Sequence, residues 1–308
     1  MLDYRELANG LRFPEGPVAM PDGSVLVVEI AAGLLSRVDS DGRVSAVAET
    51  GGGPNGAAVG PDGRCYVCNN GGMVFHERDG MLLPGHAPDD APTGWIDAID
   101  LQTGAVETLY RECEGEPLRA PNDLVFDAAG GFWFTDHGKS RKDSRDKGAI
   151  FYARTDGSSI RQVVRYMDSP NGIGLSPDGK TLYAAETATG RIWAYDVIAP
   201  GEIDKAPGPA PWTRGRLLAN PDGYHLFDSL AVDSAGNICV GSIPNKLSVV
   251  SPDGTRCDDL EMPDPFPTNI CFGGPDLKTA YVTLSGAGRL IALEWPRAGL
   301  ALNFLNRQ

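Results

Sequence analysis

One segment pattern occurs six times in this chain, and it limits the folds that the chain can adopt. Its clearest copy is PNDLVFDAAGGFWFTD, residues 121–136, in which an asparagine precedes alternating apolar residues, a glycine turn and a second apolar run. This order of residue types predicts a β-hairpin. With Asn122 as the first position, the turn glycine comes eight residues later, at Gly130.

Five other segments share this frame and its polar first position. We term these first positions the leading residues, and they are Glu15, Asn55, Asn122, Asn171, Asp228 and Asn269. The turn glycine recurs eight residues on at Gly23, Gly63, Gly179 and Gly236, whereas the sixth copy has Leu277 at that position. Carboxylates and carboxamides at one register of six otherwise apolar strands indicate that these side chains meet at a shared place.

The number and spacing of the copies predict a β-propeller. Six units in 308 residues average about 51 residues each, close to the ~40–50-residue period of propeller blades. Each hairpin is followed by further strand-like runs, such as AIFYART and SIRQVVRY after the third copy, so that each unit offers four antiparallel strands. Helical periodicity is nearly absent, and 39 glycines and 24 prolines punctuate the chain at turn spacing.

We therefore predict one all-β domain spanning residues 1–308, a six-bladed β-propeller with four-stranded antiparallel blades around a central channel. Radial repetition protects the strand edges, which favours this fold over a sandwich. The fourth strand of the last blade comes either from the C-terminal tail or from the N-terminal segment around Tyr4, and the sequence leaves both open. Packing between blades is expected for Trp95, Trp133, Trp193, Trp212 and Trp295.

Unequal spacing between the copies locates three insertions. Residues 70–94 and 137–148 each follow the second strand of a blade, on the rim where the first strand begins, so both are expected to overhang the channel mouth. The proline-rich residues 199–211 lie between a third and a fourth strand and are expected at the opposite rim.

Composition excludes several classes of partner. The net charge of −14 argues against nucleic acid, because a binding surface for phosphate has to be basic. The chain shows no signal-peptide pattern at its start and no run of roughly 18 apolar residues, so we expect a cytoplasmic protein with no membrane partner. The oligomeric state stays unknown.

Cys65 and Cys68 face opposite sides of a predicted strand and are expected to be core residues, not metal ligands.

The leading residues suggest a metal site. The first strand of each propeller blade is innermost, so six residues that open such strands ring the channel near one face. A buried ring containing Glu15 and Asp228 is costly without a cation. Oxygen ligands without His or Cys favour Ca²⁺, followed by Mg²⁺ or Mn²⁺, with Zn²⁺ also possible.

Three segments together resemble the signature segments of a known family, the SMP30/gluconolactonase/LRE-like proteins. They are FPEGP at 13–17, PNDL at 121–124 and SPNGI at 169–173, and the resemblance extends from about Phe13 to about Trp295. It implies a six-bladed propeller with a divalent metal in the channel that mostly hydrolyses lactones of sugar acids. It also implies that the metal ligands are Glu15, Asn122, Asn171 and Asp228, with Asn122 binding the metal either directly or through water.

The chain departs from the family pattern in two places. Many relatives have P-D-G at the fourth ligand, whereas here P-D-G lies upstream and contains Asp222; the spacing to Gly236 favours Asp228 over Asp222. Mammalian-type members have Arg-x-Asn before the second ligand, whereas Arg119 is one residue out of that register. The substrate-binding candidates are Asp136, His137, Arg119 and Asn55.

The implied reaction is opening of a sugar lactone, a small-molecule substrate, with Asp228 as the catalytic residue, either as base for water or as nucleophile. A metal would stabilise the charge that develops on the carbonyl oxygen. The alternatives are an organophosphate or non-sugar lactone hydrolase on the same metal site, or a non-catalytic propeller that serves as a binding platform. No G-x-S-x-G serine motif is present, which weakens an α/β-hydrolase reading.

Overall fold

The computed structural model of the protein describes residues 3–211 and 213–307. These residues form strands, turns and connecting segments without a helix, and most of the strands assemble into six antiparallel sheets arranged as a ring. The sequence therefore predicted the fold correctly as a six-bladed β-propeller. No helix within the described ranges has the length and apolar character that crossing a lipid bilayer requires.

The strands follow the chain in the order of the blades. A first strand, β1, Arg5–Ala8, comes before blade one and belongs to the last sheet. Blade one contains β2 Pro14–Ala19, β3 Val25–Glu29, β4 Leu34–Val38 and β5 Val44–Glu49. Blade two and its inserted hairpin contain β6 Pro54–Val59, β7 Cys65–Asn69, β8 Phe75–Arg78, β9 Met81–Pro84, β10 Trp95–Ile99 and β11 Val106–Tyr110.

The remaining blades repeat the arrangement. Blade three and the short hairpin before it contain β12 Glu112–Cys113, β13 Glu116–Pro117, β14 Pro121–Phe126, β15 Gly131–Asp136, β16 Gly148–Arg154 and β17 Ile160–Met167. Blade four contains β18 Pro170–Leu175, β19 Thr181–Glu186, β20 Arg191–Ala199, β21 Glu202–Ile203 and β22 Arg216–Ala219. Blade five contains β23 Leu226–Val232, β24 Ile238–Ile243, β25 Lys246–Val250 and β26 Cys257–Glu261, and blade six contains β27 Pro267–Gly273, β28 Thr279–Leu284 and β29 Arg289–Glu294.

The N-terminal segment closes the ring. Strand β1 pairs antiparallel with β29, with Arg5 opposite Ala292, and supplies the fourth strand of blade six. The C-terminal tail crosses the underside of the channel instead, where the Leu300 amide donates to the Val232 carbonyl oxygen at 2.9 Å. Blade six therefore combines strands from both ends of the chain, which links the first segment of the chain to the last blade.

The hydrophobic core is divided into six main clusters, each between two neighbouring blades. Tyr66 of blade two packs with Phe132 and Phe134 of blade three, for example. Trp133, Trp193 and Trp295 are buried in such clusters, whereas Trp95 is half-buried and Trp212 lies outside the described residues. The stability of the ring therefore depends on contacts between blades, as the repeat predicts.

The turn position of the repeat has a left-handed backbone even where glycine is missing. The glycines at this position have φ values between 69° and 85°, and Leu277 in the sixth copy has a φ of 57°. A side chain is disfavoured in this region, so the hairpin geometry is kept at some cost in strain.

Candidate metal and active site in the channel

Each innermost strand is irregular at its leading residue. The pairing between β14 and β15 shifts between Pro121 and Leu124, which places Asn122 in a bulge. The first strands of the other five blades shift in the same region. In a regular strand, successive side chains point to opposite faces of the sheet, and a bulge interrupts this alternation and changes the direction of the side chain. The bulges therefore allow these polar groups to face the channel.

Glycines next to the leading residues let the innermost strands approach one another closely. A β carbon on Gly56 would lie 2.6 Å from the Asn122 carbonyl oxygen, and one on Gly172 would lie 2.6 Å from the Leu230 amide nitrogen. No side chain fits at these distances. The channel can therefore be narrow enough for polar side chains from different blades to reach one another.

One cavity of about 310 Å³ lies at this end of the channel. Its floor and walls include the leading residues Glu15, Asn55, Asn122, Asn171 and Asp228. Its roof comes from the two insertions at 70–94 and 137–148, which overhang the channel mouth as the sequence predicts. The cavity therefore joins four residues that the sequence singled out as ligands.

Glu15 is held in one orientation and keeps one oxygen free. Its Oε2 atom accepts hydrogen bonds from the Gly16 amide and, at 2.7 Å, from Nδ2 of Asn269. Its Oε1 atom is buried and has no hydrogen-bond partner among the residues that the structure describes. Burial raises the pKa of Glu15 to about 7, although these hydrogen bonds act in the opposite direction.

The three other predicted ligands surround the same space. The Oδ1 atom of Asn122 is a second buried oxygen that accepts no hydrogen bond from residues 3–211 or 213–307. Asn171 donates from Nδ2 to Thr187 Oγ1 at 3.2 Å and accepts at Oδ1 from Ser229 Oγ at 3.2 Å. Asp228 is half-buried, and its Oδ1 atom accepts from the Ser229 amide at 3.1 Å. Burial, followed by the negative charge of Glu15, raises its pKa well above the usual range.

These residues fit a hard divalent cation. Two unpartnered buried oxygens and two mutually repelling carboxylates are the groups that a cation would satisfy. Within the described ranges no three His, Cys, Asp or Glu side chains are grouped as a metal centre. A cation at this site would therefore need the carboxamide oxygens of Asn122 and Asn171 as well as the carboxylates.

A third buried carboxylate, Asp123, was not singled out from the sequence. Its Oδ1 atom accepts from the Leu124 amide at 2.9 Å and its Oδ2 atom from the Ile173 amide at 3.3 Å. Burial, followed by the charge of Glu15, raises its pKa well above the usual range. The sequence did contain one indication that Asp123 is buried. Three of the other copies have glycine directly after the leading residue, which indicates a crowded position beside the channel. An aspartate at that position is therefore expected to be buried.

Asp136 and Arg119 lie outside the walls of this cavity. Both Asp136 oxygens accept backbone hydrogen bonds, Oδ2 from Arg119 at 2.7 Å and Oδ1 from Ala120 at 2.8 Å and Gly138 at 3.0 Å. The Arg119 guanidinium is about half exposed and lies 3.7 Å from Asp146, beside a separate cavity of about 570 Å³. Asp136 therefore fixes the backbone around the site, and the geometry gives no support for substrate contact by either side chain.

Three other candidates from the sequence line the channel cavity: His137, Asn55 and Asp228. His137 lines the cavity, its Nδ1 atom lies 3.0 Å from the Gly138 carbonyl oxygen, and burial lowers its pKa. Asn55 also lines the cavity. Asp228 lies in the bulge of β23, whereas its sequence alternative Asp222 is exposed ahead of that strand. The structure thus brings six of the eight site candidates to one cavity.

Comparisons with known proteins identify similar chains. A family model described as SMP-30/Gluconolactonase/LRE-like region matches residues 13–286. A gluconolactonase from Zymomonas mobilis is 26% identical over 298 residues, covering 87% of this chain and 75% of the relative. A 6-deoxy-6-sulfogluconolactonase from Pseudomonas putida is 30% identical over 282 residues, covering 88% and 83%.

Similarity in three dimensions extends over the whole propeller. The crystal structure of regucalcin from Agrobacterium tumefaciens, described as a calcium-binding protein, aligns with a TM-score of 0.75. The alignment covers 100% of this chain and 98% of that chain at 18% identity. At that identity the similarity shows the shared fold.

Proposed function

Since this chain belongs to the SMP-30/gluconolactonase/LRE-like family, we propose that it hydrolyses the lactone ring of a sugar acid at a divalent cation in its channel. The observation that carries the proposal is a pair of buried oxygens, Glu15 Oε1 and Asn122 Oδ1, that have no hydrogen-bond partner in the described part of the chain. Both residues line the cavity that Asn171 and Asp228 also line. Donors that are all oxygen favour Ca²⁺, then Mg²⁺ or Mn²⁺, with Zn²⁺ as a further candidate.

The cation would be held by Glu15, Asn122, Asn171 and Asp228 and would supply positive charge to stabilise an oxyanion. Among these four ligands, Asp228 is the one carboxylate that is half-buried, which supports a role for it in accepting a proton from water. The water oxygen bonds to the lactone carbonyl carbon, the ring C–O bond breaks, and the proton passes from Asp228 to the departing ring oxygen. The product is the open-chain hydroxy acid.

The walls of the cavity would exclude water and orient the substrate. Phe13, Ile30, Leu226, Ile243 and Phe266 line the cavity together with the polar floor. Apolar walls exclude water from the space around the reacting ester, which strengthens the electrostatic interactions there. Asn55 and His137 lie on the same walls, and in this proposal they orient the substrate hydroxyls.

The apolar walls also favour a second candidate function on the same cation. A less polar ester, such as a non-sugar lactone or an organophosphate, would bury more apolar surface against Phe13, Ile30 and Phe266 than a sugar does. The names of the two relatives both refer to gluconolactones, which is why we place the sugar lactone first. A binding platform without chemistry does not require buried oxygens that lack partners.

The test is a rate measurement on purified protein with D-gluconolactone, a non-sugar lactone and an organophosphate at neutral pH. We expect gluconolactone opening above the spontaneous rate, loss of that activity with EDTA, and recovery with Ca²⁺. Asp228→Asn should lower kcat by about 100-fold or more, whereas exposed Asp222→Asn serves as the matched control and should resemble the wild type. Activity that survives both EDTA and Asp228→Asn would sink the proposal.

A further inference from the structure

A lysine on the cavity wall has no role in the reaction described above. Lys139, in the insertion at 137–148, lines the same cavity as Asp228 and is only 6% exposed. Its ammonium donates to the carbonyl oxygen of Asn70 and, at 3.4 Å, to that of Gly72. Within the part of the chain that the structure describes, it forms no ion pair with a carboxylate.

The backbone around Lys139 is fixed by two acidic residues, Asp136 and Asp146, which accept hydrogen bonds from backbone amides and not from the Lys139 ammonium. Asp146 Oδ2 accepts from the Lys139 amide at 3.2 Å, and the Asp146 amide donates back to the Lys139 carbonyl oxygen at 3.0 Å. Asp136 holds the neighbouring Gly138 amide at 3.0 Å. Arg141 donates to the other oxygen of Asp146 at 2.9 Å. Lys139 is therefore presented from a braced loop.

Burying an ammonium against neutral carbonyl groups alone is unfavourable. Such a charge loses its hydration and normally recovers the cost through an anionic partner. This chain has 41 acidic residues against 27 basic ones, yet none of the acidic residues that the structure describes forms an ion pair with Lys139. Burial lowers the pKa of Lys139, and the charge of Asp136 opposes that change. Two carbonyl oxygens use two of the three N–H donors, so one remains for a ligand.

We propose that Lys139 binds an anionic substituent of the substrate, so that the preferred lactone derives from a sugar acid with a second acidic group. This inference rests on the proposed lactonase function. Lys139 and the candidate cation site lie on one cavity of about 310 Å³, a volume that a single sugar ring can span. The cation site then receives the ester, and Lys139 receives the charged group of the same molecule.

A purely structural role makes a different prediction. If Lys139 only fastens residues 70–72 to the loop at 137–148, replacing it lowers activity toward every lactone by the same factor. If it binds an anion, the loss is larger for the charged substrate. The ratio of the two kcat/KM values therefore separates the two roles, even when a variant is less stable.

The experiment compares D-gluconolactone with D-glucarolactone of the same ring size, which differ only in a hydroxymethyl group and a carboxylate. In the wild type we expect kcat/KM for glucarolactone to exceed that for gluconolactone by about tenfold, because hydrogen bonds to a charged group are the stronger kind. Lys139→Met should lower that ratio by about tenfold, mainly through KM. Lys139→Arg should keep part of the preference, and exposed Lys142→Met should keep the wild-type ratio.

Two results would overturn this proposal while the lactonase function stands. One is a wild-type enzyme that opens gluconolactone as efficiently as glucarolactone; the other is a Lys139→Met variant in which both rates fall in proportion. If the wild type opens neither lactone, the lactonase function fails, and the role of Lys139 fails with it. Circular dichroism, recorded while each variant is heated, shows whether that variant is folded at the assay temperature.

Discussion

Asn269 on the last blade donates a hydrogen bond of 2.7 Å from Nδ2 to Oε2 of Glu15 on the first blade. The Asn269 carboxamide is itself fixed, because its Oδ1 atom accepts from the Ile270 amide at 2.7 Å. This contact occupies one oxygen of Glu15, whereas the other, Oε1, accepts no hydrogen bond from the described residues. Asn269 thus acts as a positioning residue for a candidate ligand.

Asn269→Leu should therefore weaken cation binding. Removing the group that orients a metal ligand typically costs 10–100-fold in affinity, and we expect a loss of about that size for Ca²⁺ in isothermal titration calorimetry. Asn55→Leu is the matched control, because Asn55 is a leading residue without a hydrogen bond to Glu15. Equal affinities in the wild type and Asn269→Leu would remove the positioning role.

Cation binding should also raise thermal stability. A ligand that binds only the folded state stabilises it by about 2.7 kcal/mol at a concentration of 100 times Kd, which corresponds to a rise of several degrees in Tm for a chain of this size. Differential scanning calorimetry with EDTA and then with Ca²⁺, Mg²⁺, Mn²⁺ or Zn²⁺ measures the shift. Glu15→Gln should abolish it. A Tm that no cation changes would contradict the site.

Asp136→Asn should act through the roof of the cavity. The Asp136 carboxylate accepts three backbone hydrogen bonds, and an amide nitrogen in place of one oxygen would face an N–H donor. The loss of a hydrogen bond to a buried charged group costs about 1.5–3 kcal/mol, so Tm should fall. KM for the lactone should rise more than kcat falls, since the loop that carries Lys139 loses its anchor.

The matched control for this variant is Asp127→Asn. Asp127 also accepts backbone hydrogen bonds, from Ala129 at 2.9 Å and Gly131 at 3.2 Å, but it does so at the hairpin turn of blade three. Its replacement should lower Tm without changing KM. If Asp136→Asn lowers kcat alone and leaves KM unchanged, Asp136 takes part in the reaction instead of bracing the roof.

Gly56→Ala should destabilise the ring where two blades meet. A β carbon there would be 2.6 Å from backbone atoms of Asn122 and Asp123. Overpacking of this kind costs about 1–3 kcal/mol, and it also displaces the candidate ligand Asn122, so cation affinity should fall together with Tm. Gly63→Ala is the control: its φ is 78°, but nothing lies within 4 Å of a β carbon. It should lower Tm and leave cation affinity unchanged.

The sequence predicted the parts of this molecule that repeat. Six copies of one frame were enough to predict the blades, and their shared polar register placed Asn122 and Asp228 on one channel. Features that occur once were harder to predict. The sequence left open which terminus closes the ring, because both end segments are short and partly apolar. Burial of Asp123 and Lys139 depends on loops and neighbouring blades that carry no periodic signal.

The roof shows the same limit in more detail. The sequence located the insertions and their side of the propeller. It did not predict that Asp136 accepts backbone hydrogen bonds or that the Arg119 guanidinium lies near Asp146. Asp136 ends a strand next to three amides that lack sheet partners, and it accepts from all three. From its position in the sequence, the Asp136 side chain could either point into the cavity or bind backbone amides. Only the positions of those amides in the folded chain distinguish the two arrangements.

The final prediction concerns the C-terminal tail, residues 299–307, which covers the underside of the channel. Asn303 donates from Nδ2 to the Phe126 carbonyl oxygen at 2.9 Å, and the Phe304 ring packs edge-on against Phe126 with centroids 6.0 Å apart. The tail also lines a second cavity of about 300 Å³. With the hydrogen bond from the Leu300 amide to the Val232 carbonyl oxygen, its contacts connect blades three and five beneath the channel.

Ending the chain after Ala298 should lower Tm and expose the apolar underside, because each partly buried apolar side chain that is removed contributes on the order of 1 kcal/mol. We expect increased binding of an apolar fluorescent dye at temperatures below Tm. KM for the lactone should stay at the wild-type value, since the candidate site opens at the other end of the channel. Removing only residues 307 and 308 keeps Phe304 and should preserve Tm. A truncated chain with wild-type Tm and no added dye binding would show that the tail does not support the ring, and a large rise in KM would place substrate entry at the underside.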